Sequence, residues 1–395
     1  MAAASSTGAR GTETPRTVVV GQPRGHAPRD RVDAHRTGRT TAPLPATNAR
    51  WRWQRDFAAG LELPPVVDAD GGVISWLVTS EVVRVDRDGK VSWRRRTSCA
   101  PGAVAPALTS DGGVALLCAE GSLERIERDG TLRRPVSLGA TALRTTAAPL
   151  ARDDGGLDVA LDDELVRIDA DGAVTARTRF GTGERAVGGL LGVGAQVLAT
   201  GEYGTVWRWQ PPNAAVPIGS FGGLVDGGAV YFGPRALVAV VGKSRVVQLD
   251  PITQATRALA EGQGPRGFDG PVTSTFGRGL LVATQGGELV SLEESGDEQP
   301  RVPLNPLALG AASGTARAPK FVGYDLDAAP AMLVDAEGTI AFLRPTGRLG
   351  LVSREGKVTV LEPSVCSQPL GLTPAGPGRI AVACRGGHVA VWGDK

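Results

Sequence analysis

Residues Pro64 to Arg96 read PPVVDADGGVISWLVTSEVVRVDRDGKVSWRRR, and the fold follows from how this stretch divides. It falls into four short runs: PPVVDAD, GGVISWLV, SEVVRVDRDG and KVSWRRR. Each run carries Val, Ile or Trp in alternation and is bounded by Asp-Gly, Gly-Gly or Ser turn signals, the pattern of a β-strand. Comparable quartets follow from Pro106 to Leu138 (PALTSDGGVALLCAEGSLERIERDGTLRRPVSL) and from Ala148 to Phe180 (APLARDDGGLDVALDDELVRIDADGAVTARTRF). A further one opens from Gly188 to Gln210 (GGLLGVGAQVLATGEYGTVWRWQ). A fixed period of roughly 40 residues is the mark of a stacked or radial repeat architecture.

The units open at Pro65, Pro106, Pro149, Gly189, Gly228, Pro271, Pro330 and Pro369. Spacing holds near 40 except between the sixth and seventh, where about 20 residues are inserted. The eighth unit, PLGLTPAGPGRIAVACRGGHVAVWG (Pro369 to Gly393), supplies three strands. Its missing strand is expected from Ala49 to Phe57, ARWRWQRDF, with Trp51 and Trp53 joining the two ends of the ring. Trp53 would then hold the fourth-strand position that Trp93 holds in the first unit. Pairing the ends removes the exposed strand edges that an open ring would leave. The expectation is an all-β, eight-bladed propeller of four-stranded antiparallel blades over residues 49–395, preceded by a basic Pro/Thr/Ala-rich head and partly disordered strap over 1–48.

Charge is uneven along the chain. The first 55 residues hold ten Arg against three acidic residues, so this head is about +7 within a chain whose net charge is +2. A charge that small does not call for nucleic acid, and the head reads as a solvated strap. No apolar run approaches the roughly 20 residues of a membrane helix. The opening MAAASSTGARG has no apolar core of a secretory signal and no lipid-attachment Cys; whether a signal or anchor lay upstream is left open.

Little in the sequence carries chemistry. Three histidines occur, His26, His35 and His388, two of them in the head. There is no CxxC pair, no phosphate-cradling glycine loop and no Gly-x-Ser-x-Gly elbow. Asp68-Ala69-Asp70-Gly71, Asp86-Arg87-Asp88-Gly89 and Asp169-Ala170-Asp171-Gly172 look like calcium-loop fragments. They lack the further spaced acids such a loop carries, and Asp-Gly is itself a favoured hairpin pair. Trp51/Trp53 and Trp207/Trp209 alternate with Arg52 and Arg208, which puts both rings of a pair on one sheet face. Packing between blades is the plain reading of these rings; a stacking platform would need them exposed.

The four cysteines repeat a pattern. Cys99 and Cys366 lie in connections leading into a blade, while Cys118 and Cys384 end that blade's second strand. These two places share one face of a propeller. Of three possible pairings, Cys99–Cys118 and Cys366–Cys384 are favoured, each closing a loop that stabilises by about 3 kcal/mol in the chain-entropy model. Four buried thiols are the alternative. Disulfides favour an oxidising compartment, so a periplasmic or other extracytoplasmic location is expected.

The lead-in strand, the third strand ending in Asp-x-x-Gly and the closing Trp resemble the quinoprotein-type (PQQ-like) repeat family. The pattern is clearest at Val85-Asp86-Arg87-Asp88-Gly89-Lys90-Val91-Ser92-Trp93, and the strap DAHRTGRTTAPLPATNARWRW from Asp33 is similar to that family's lead-in. The resemblance implies an eight-bladed propeller. It also implies one of two branches, quinone-dependent dehydrogenases or smaller binding scaffolds such as the outer-membrane barrel-assembly propeller lipoprotein. The dehydrogenase branch often carries adjacent cysteines, absent here. The scaffold branch therefore fits better: no enzyme activity, no cofactor and no metal, a monomer binding envelope proteins through its loops. The insert from Asn305 to Asp327 is the candidate partner-binding loop, with Leu307, Lys320, Phe321 and Tyr324 as candidate contact residues. A quinone- or small-ligand enzyme using the central channel and an intracellular WD-type scaffold remain the alternatives.

Overall fold

The computed structural model describes residues 25–27 and 39–394, apart from 140–142, 182, 226, 233–235, 276–278, 287, 294–301, 304–330, 344–346 and 362–367. The chain is all-β, with eight antiparallel sheets following one another around a ring. The first blade contains Val66–Asp68, Val73–Leu77, Glu81–Val85 and Val91–Arg96, from the inner strand outward. Blades two to seven open with inner strands Ala107–Leu108, Leu150–Ala151, Ala186–Val193, Val230–Phe232, Phe268–Ser274 and Ala331–Val334. The expected Pro and Gly openings fall at or within a few residues of these strands. They suit places where neighbouring inner segments nearly touch: a side chain on Gly227 would lie 3.1 Å from Pro271.

The eighth blade is composite. Pro369–Pro374, Arg379–Cys384 and His388–Gly393 form its first three strands, and Arg50–Asp56 is the outermost, paired antiparallel with His388–Gly393. Asp56 also accepts or shares a hydrogen bond with His388 Nδ1 at 2.7 Å, across 332 residues of sequence. The strap reaches this position along the face bearing the turns between first and second strands. The Thr40 N–H donates to Val334 in blade seven, the Leu44 N–H donates to Asp335 Oδ2 at 3.0 Å, and the Gly378 N–H of blade eight donates to Pro43.

The head contributes more than a strap. Gly25–Ala27 pairs antiparallel with Val66–Asp68 and makes the first blade five-stranded. An innermost strand leaves one edge of backbone N–H and C=O groups unpaired, and a short segment of the same chain can satisfy it.

The apolar core is not at the ring's centre. It is distributed into clusters that each join two neighbouring blades, as in Trp53, Phe57, Val83 and Val389 between blades eight and one, or Leu150, Leu165, Trp207 and Trp209 between blades three and four. Each sheet therefore buries both faces, so second and third strands such as VISWL are buried at consecutive residues rather than alternate ones.

Outer strands carry a recurrent irregularity. In blade one Arg84 pairs with Trp93 and Val85 with Val91, so Ser92 is an extra residue. Blades three, four and five have the same one-residue offset beside their outer strands. In blade eight the offset falls at Arg52, since Trp51 faces Trp392 and Trp53 faces Val391. A bulge breaks period-two alternation and bends the strand. The expectation that Trp51 and Trp53 share a sheet face is thereby corrected. Trp53 is buried between blades eight and one, and Trp51, half-buried, packs on the opposite side against blade seven. Trp207 and Trp209, with no bulge between them, do share a cluster, and Phe180 lies 4.7 Å from the Trp207 ring.

The bulge aims each outer tryptophan at the next blade. Trp53 lies over Gly89, in the turn between third and outer strands of blade one, and Trp93 lies over Gly130 in the matching turn of blade two. A Cβ on Gly89 would come within 2.7 Å of Trp53, and one on Gly130 within 2.9 Å of Trp93. Both glycines also have positive φ, 85° and 89°. Two residues on, Arg55 donates to the Gly89 carbonyl at 2.7 Å and Arg95 donates to that of Gly130.

Two expected outcomes test this joint. Trp93→Ala should lower the unfolding free energy by about 3–5 kcal/mol, the usual loss for a large buried aromatic. Gly130→Ala should cost at least the roughly 1–2 kcal/mol of a left-handed backbone, with the clash added. Denaturant unfolding of both variants measures this, and a change below about 0.5 kcal/mol in either would remove the docking from its structural role.

Candidate functional site

In an up-and-down blade the turn between second and third strands and the connection into the next blade emerge on one face of the disc. The opposite face carries the two Asp-containing turns, and its chemistry is consumed locally. Asp68 Oδ1 accepts the N–H groups of Asp70 and Gly72, Asp86 Oδ1 those of Asp88 and Lys90, and Asp169 Oδ1 those of Asp171 and Ala173. These are hairpin turns closed by their own carboxylates. The other oxygen of Asp68 pairs with Arg84 at 2.7 Å, and in the second strand of blade three Asp158 pairs with Arg167 at 2.7 Å. Burial drives the Asp158 carboxyl above its ordinary value, opposed by Arg167 and Arg152. In Asp154 the bond from Arg152 prevails over burial and holds the carboxyl below its ordinary value. Each of these groups is spent on holding a turn or a neighbouring strand.

The connection face differs. There Cys99, in the segment entering blade two, is bonded to Cys118 at the end of that blade's second strand, with Cα atoms 5.7 Å apart. Both are buried, and the Ala119 N–H donates to Ala100 beside them. Cys384 is also disulfide-bonded; Cys366 lies outside the described residues. The insert and its Leu307, Lys320, Phe321 and Tyr324 lie outside the described residues too. Trp51 and Trp53 belong to the ring joint, away from this face's surface.

Two residues the sequence reading passed over stand out here. Tyr203 is 58% exposed in the turn between second and third strands of blade four, and Leu224 is 56% exposed in the connection to blade five. Backbone hydrogen bonds lace these segments together. Phe221 N–H donates to Gly204 at 2.9 Å, Val225 N–H to Glu202 at 2.8 Å, and the Gly242 N–H of blade five donates to Leu224 at 2.8 Å. Beneath them Glu184, nearly buried, accepts the N–H groups of Tyr203 and Thr205, and Arg185 pairs with Glu202 at 2.6 Å. The two apolar side chains are thus presented on a braced platform. An aromatic in the Glu202-Tyr203-Gly204 turn and a lone leucine after Gly222-Gly223 were the available signals, because such turn positions are ordinarily polar.

No family model matches the sequence, and no curated protein matches it. Solved structures match by shape. BamB from Moraxella catarrhalis is 15% identical with a TM-score of 0.61, covering 88% of this chain and 100% of its own. The computationally designed Ika8 protein is 13% identical with a TM-score of 0.63, covering 86% of this chain and 98% of its own. Virginiamycin B lyase from Staphylococcus aureus is 13% identical with a TM-score of 0.52, covering 87% and 99%. At these identities the likeness is one of fold, and it includes a designed protein and an enzyme.

Loss of the bridge in Cys99→Ser/Cys118→Ser should reduce stability by about 3 kcal/mol for a loop of this size. Peptide mapping of the chain, taken from its native host with thiols blocked at lysis, should return Cys99 linked to Cys118. Free Cys99 in that material would contradict the bridge.

Proposed function

We propose that this chain is a non-catalytic scaffold of the PQQ-like repeat type that binds protein partners in an extracytoplasmic compartment through its connection face. The observation that carries this reading is the braced, exposed pair Tyr203 and Leu224. Amphipathic aromatics and apolar side chains on a rigid surface are what protein interfaces use as anchors. The disulfide on the same face supports an oxidising compartment, and the likeness to BamB supports a propeller of this architecture. The insert from Asn305 to Asp327 belongs to a connection of the same class and is assigned to the same binding surface. An enzymatic reading draws on the lyase's name. Against it, His388 is engaged with Asp56 at the ring joint, and the turn carboxylates are committed to their own loops.

A photo-crosslinking residue placed at 203 or 224 in the native host should capture the same extracytoplasmic protein. The same residue at Ile252, exposed on the opposite face, should not. Equal capture from both faces would refute the assignment of the surface. Deleting 305–327 should leave the unfolding free energy within about 0.5 kcal/mol of the parent and abolish the captured band; an unchanged band would remove the insert from the interface.

A further inference from the structure

The Cys99–Cys118 bridge sits against a carboxylate whose structural role uses only half of it. Glu124, in the third strand of blade two, is fully buried. Its Oε1 accepts the Ser98 N–H at 2.8 Å and the Ser98 hydroxyl. Its Oε2 is buried with no hydrogen-bond partner. A carboxylate oxygen taken out of water without a donor is costly, and an unfilled cation position is one of the few arrangements that accounts for it. The sulfurs of Cys99 and Cys118 and a carboxylate oxygen of Glu124 all lie within 4.8 Å of one another.

We propose that reduction of the Cys99–Cys118 bond turns this cluster into a site for a thiophilic divalent cation, with Zn(II) the best fit. Two thiolates and the Glu124 carboxylate would supply three ligands, leaving a fourth position for water or the Ser98 hydroxyl. Zinc takes thiolate sulfur at about 2.3 Å and carboxylate oxygen at about 2.0–2.2 Å in tetrahedral sites. Ligand atoms around such an ion stand about 3.3–3.8 Å from one another, inside the 4.8 Å that this cluster spans. Once the sulfurs no longer share a bond, rotation of the two cysteine side chains is what would bring them to that spacing.

The redox step balances. Two electrons enter the sulfur–sulfur bond from a dithiol, which leaves as its own disulfide, and its two protons pass to Cys99 and Cys118. The arriving cation displaces those protons to solvent. The oxidised bridge has neither thiolate and binds no metal. In both states the connection into blade two stays tied to the turn beside it, covalently in one and by coordination in the other. That tie would thereby survive a change of redox environment that breaks the bridge.

The test uses the full chain, reduced with dithiothreitol, desalted without oxygen and mixed with Zn(II) or Co(II). Zn(II) should protect Cys99 and Cys118 from iodoacetamide at one equivalent, read peptide by peptide so that Cys366 and Cys384 are scored separately. Co(II) should give a thiolate-to-metal charge-transfer band, and the oxidised chain should give neither signal. Glu124→Gln should weaken Zn(II) binding about tenfold or more in competition with a chromophoric chelator, with unchanged circular dichroism. Should that variant fail to fold, the protection and cobalt signals of the parent chain decide the matter. Zn(II)-independent alkylation of Cys99 and Cys118, or equal affinity in the folded Glu124→Gln chain, would overturn the proposal.

Discussion

Everything in this molecule rests on one strand pairing. Arg50–Asp56 supplies the outer strand of the eighth blade and ties the chain's first propeller segment to its last. Without it, His388–Gly393 would present a free edge and the apolar seam between blades eight and one would lose Trp53 and Phe57. A ring built from sheets stacked side by side has no other place to be broken. Blade-to-blade packing covers every blade on both sides only when the circle is complete.

The seams repeat a common device with local variation. An outer-strand bulge redirects a side chain toward the following blade, where a turn glycine leaves room for it. Trp53 on Gly89 and Trp93 on Gly130 are the full version; in blade two Val136 takes the same place over Gly172. Arginine adds a second tie in the same direction, as where Arg125 donates to Ala170 in blade three at 2.7 Å. Turn residues are thus shared property of two blades, which is why Asp-x-x-Gly recurs where no ion is needed.

Much of the architecture was legible because it is periodic. The Pro and Gly openings, the eight units and the borrowed strand all follow from counting, and the ring places them as counted. What escaped is aperiodic. A single extra residue at Arg52 flips Trp51 to the opposite side, and nothing in RWRW announces it. The pairing of Gly25–Ala27 with the first inner strand depends on an edge that exists only after the ring forms. Tyr203 and Leu224 are informative only through their exposure, and Glu124 only through what surrounds it. In sequence it is one more residue of SLERI, a strand whose other charged side chain, Arg125, is also buried.

The composite blade has a consequence for how the protein is made. The strand that seals the ring is made before blades one to seven, and its partner His388–Gly393 is made after every other strand of the ring. Until the eighth blade is made Arg50–Asp56 has no sheet to join, and the first blade has a neighbour on one side alone. Closure therefore waits on a contact of very long loop length, slow by the measure of contact separation, and the strand is exposed to pairing with the wrong chain until then. A strand rich in arginine is a poor template for such mispairing. The arginines exposed along this segment in the finished ring also guard it before the ring exists.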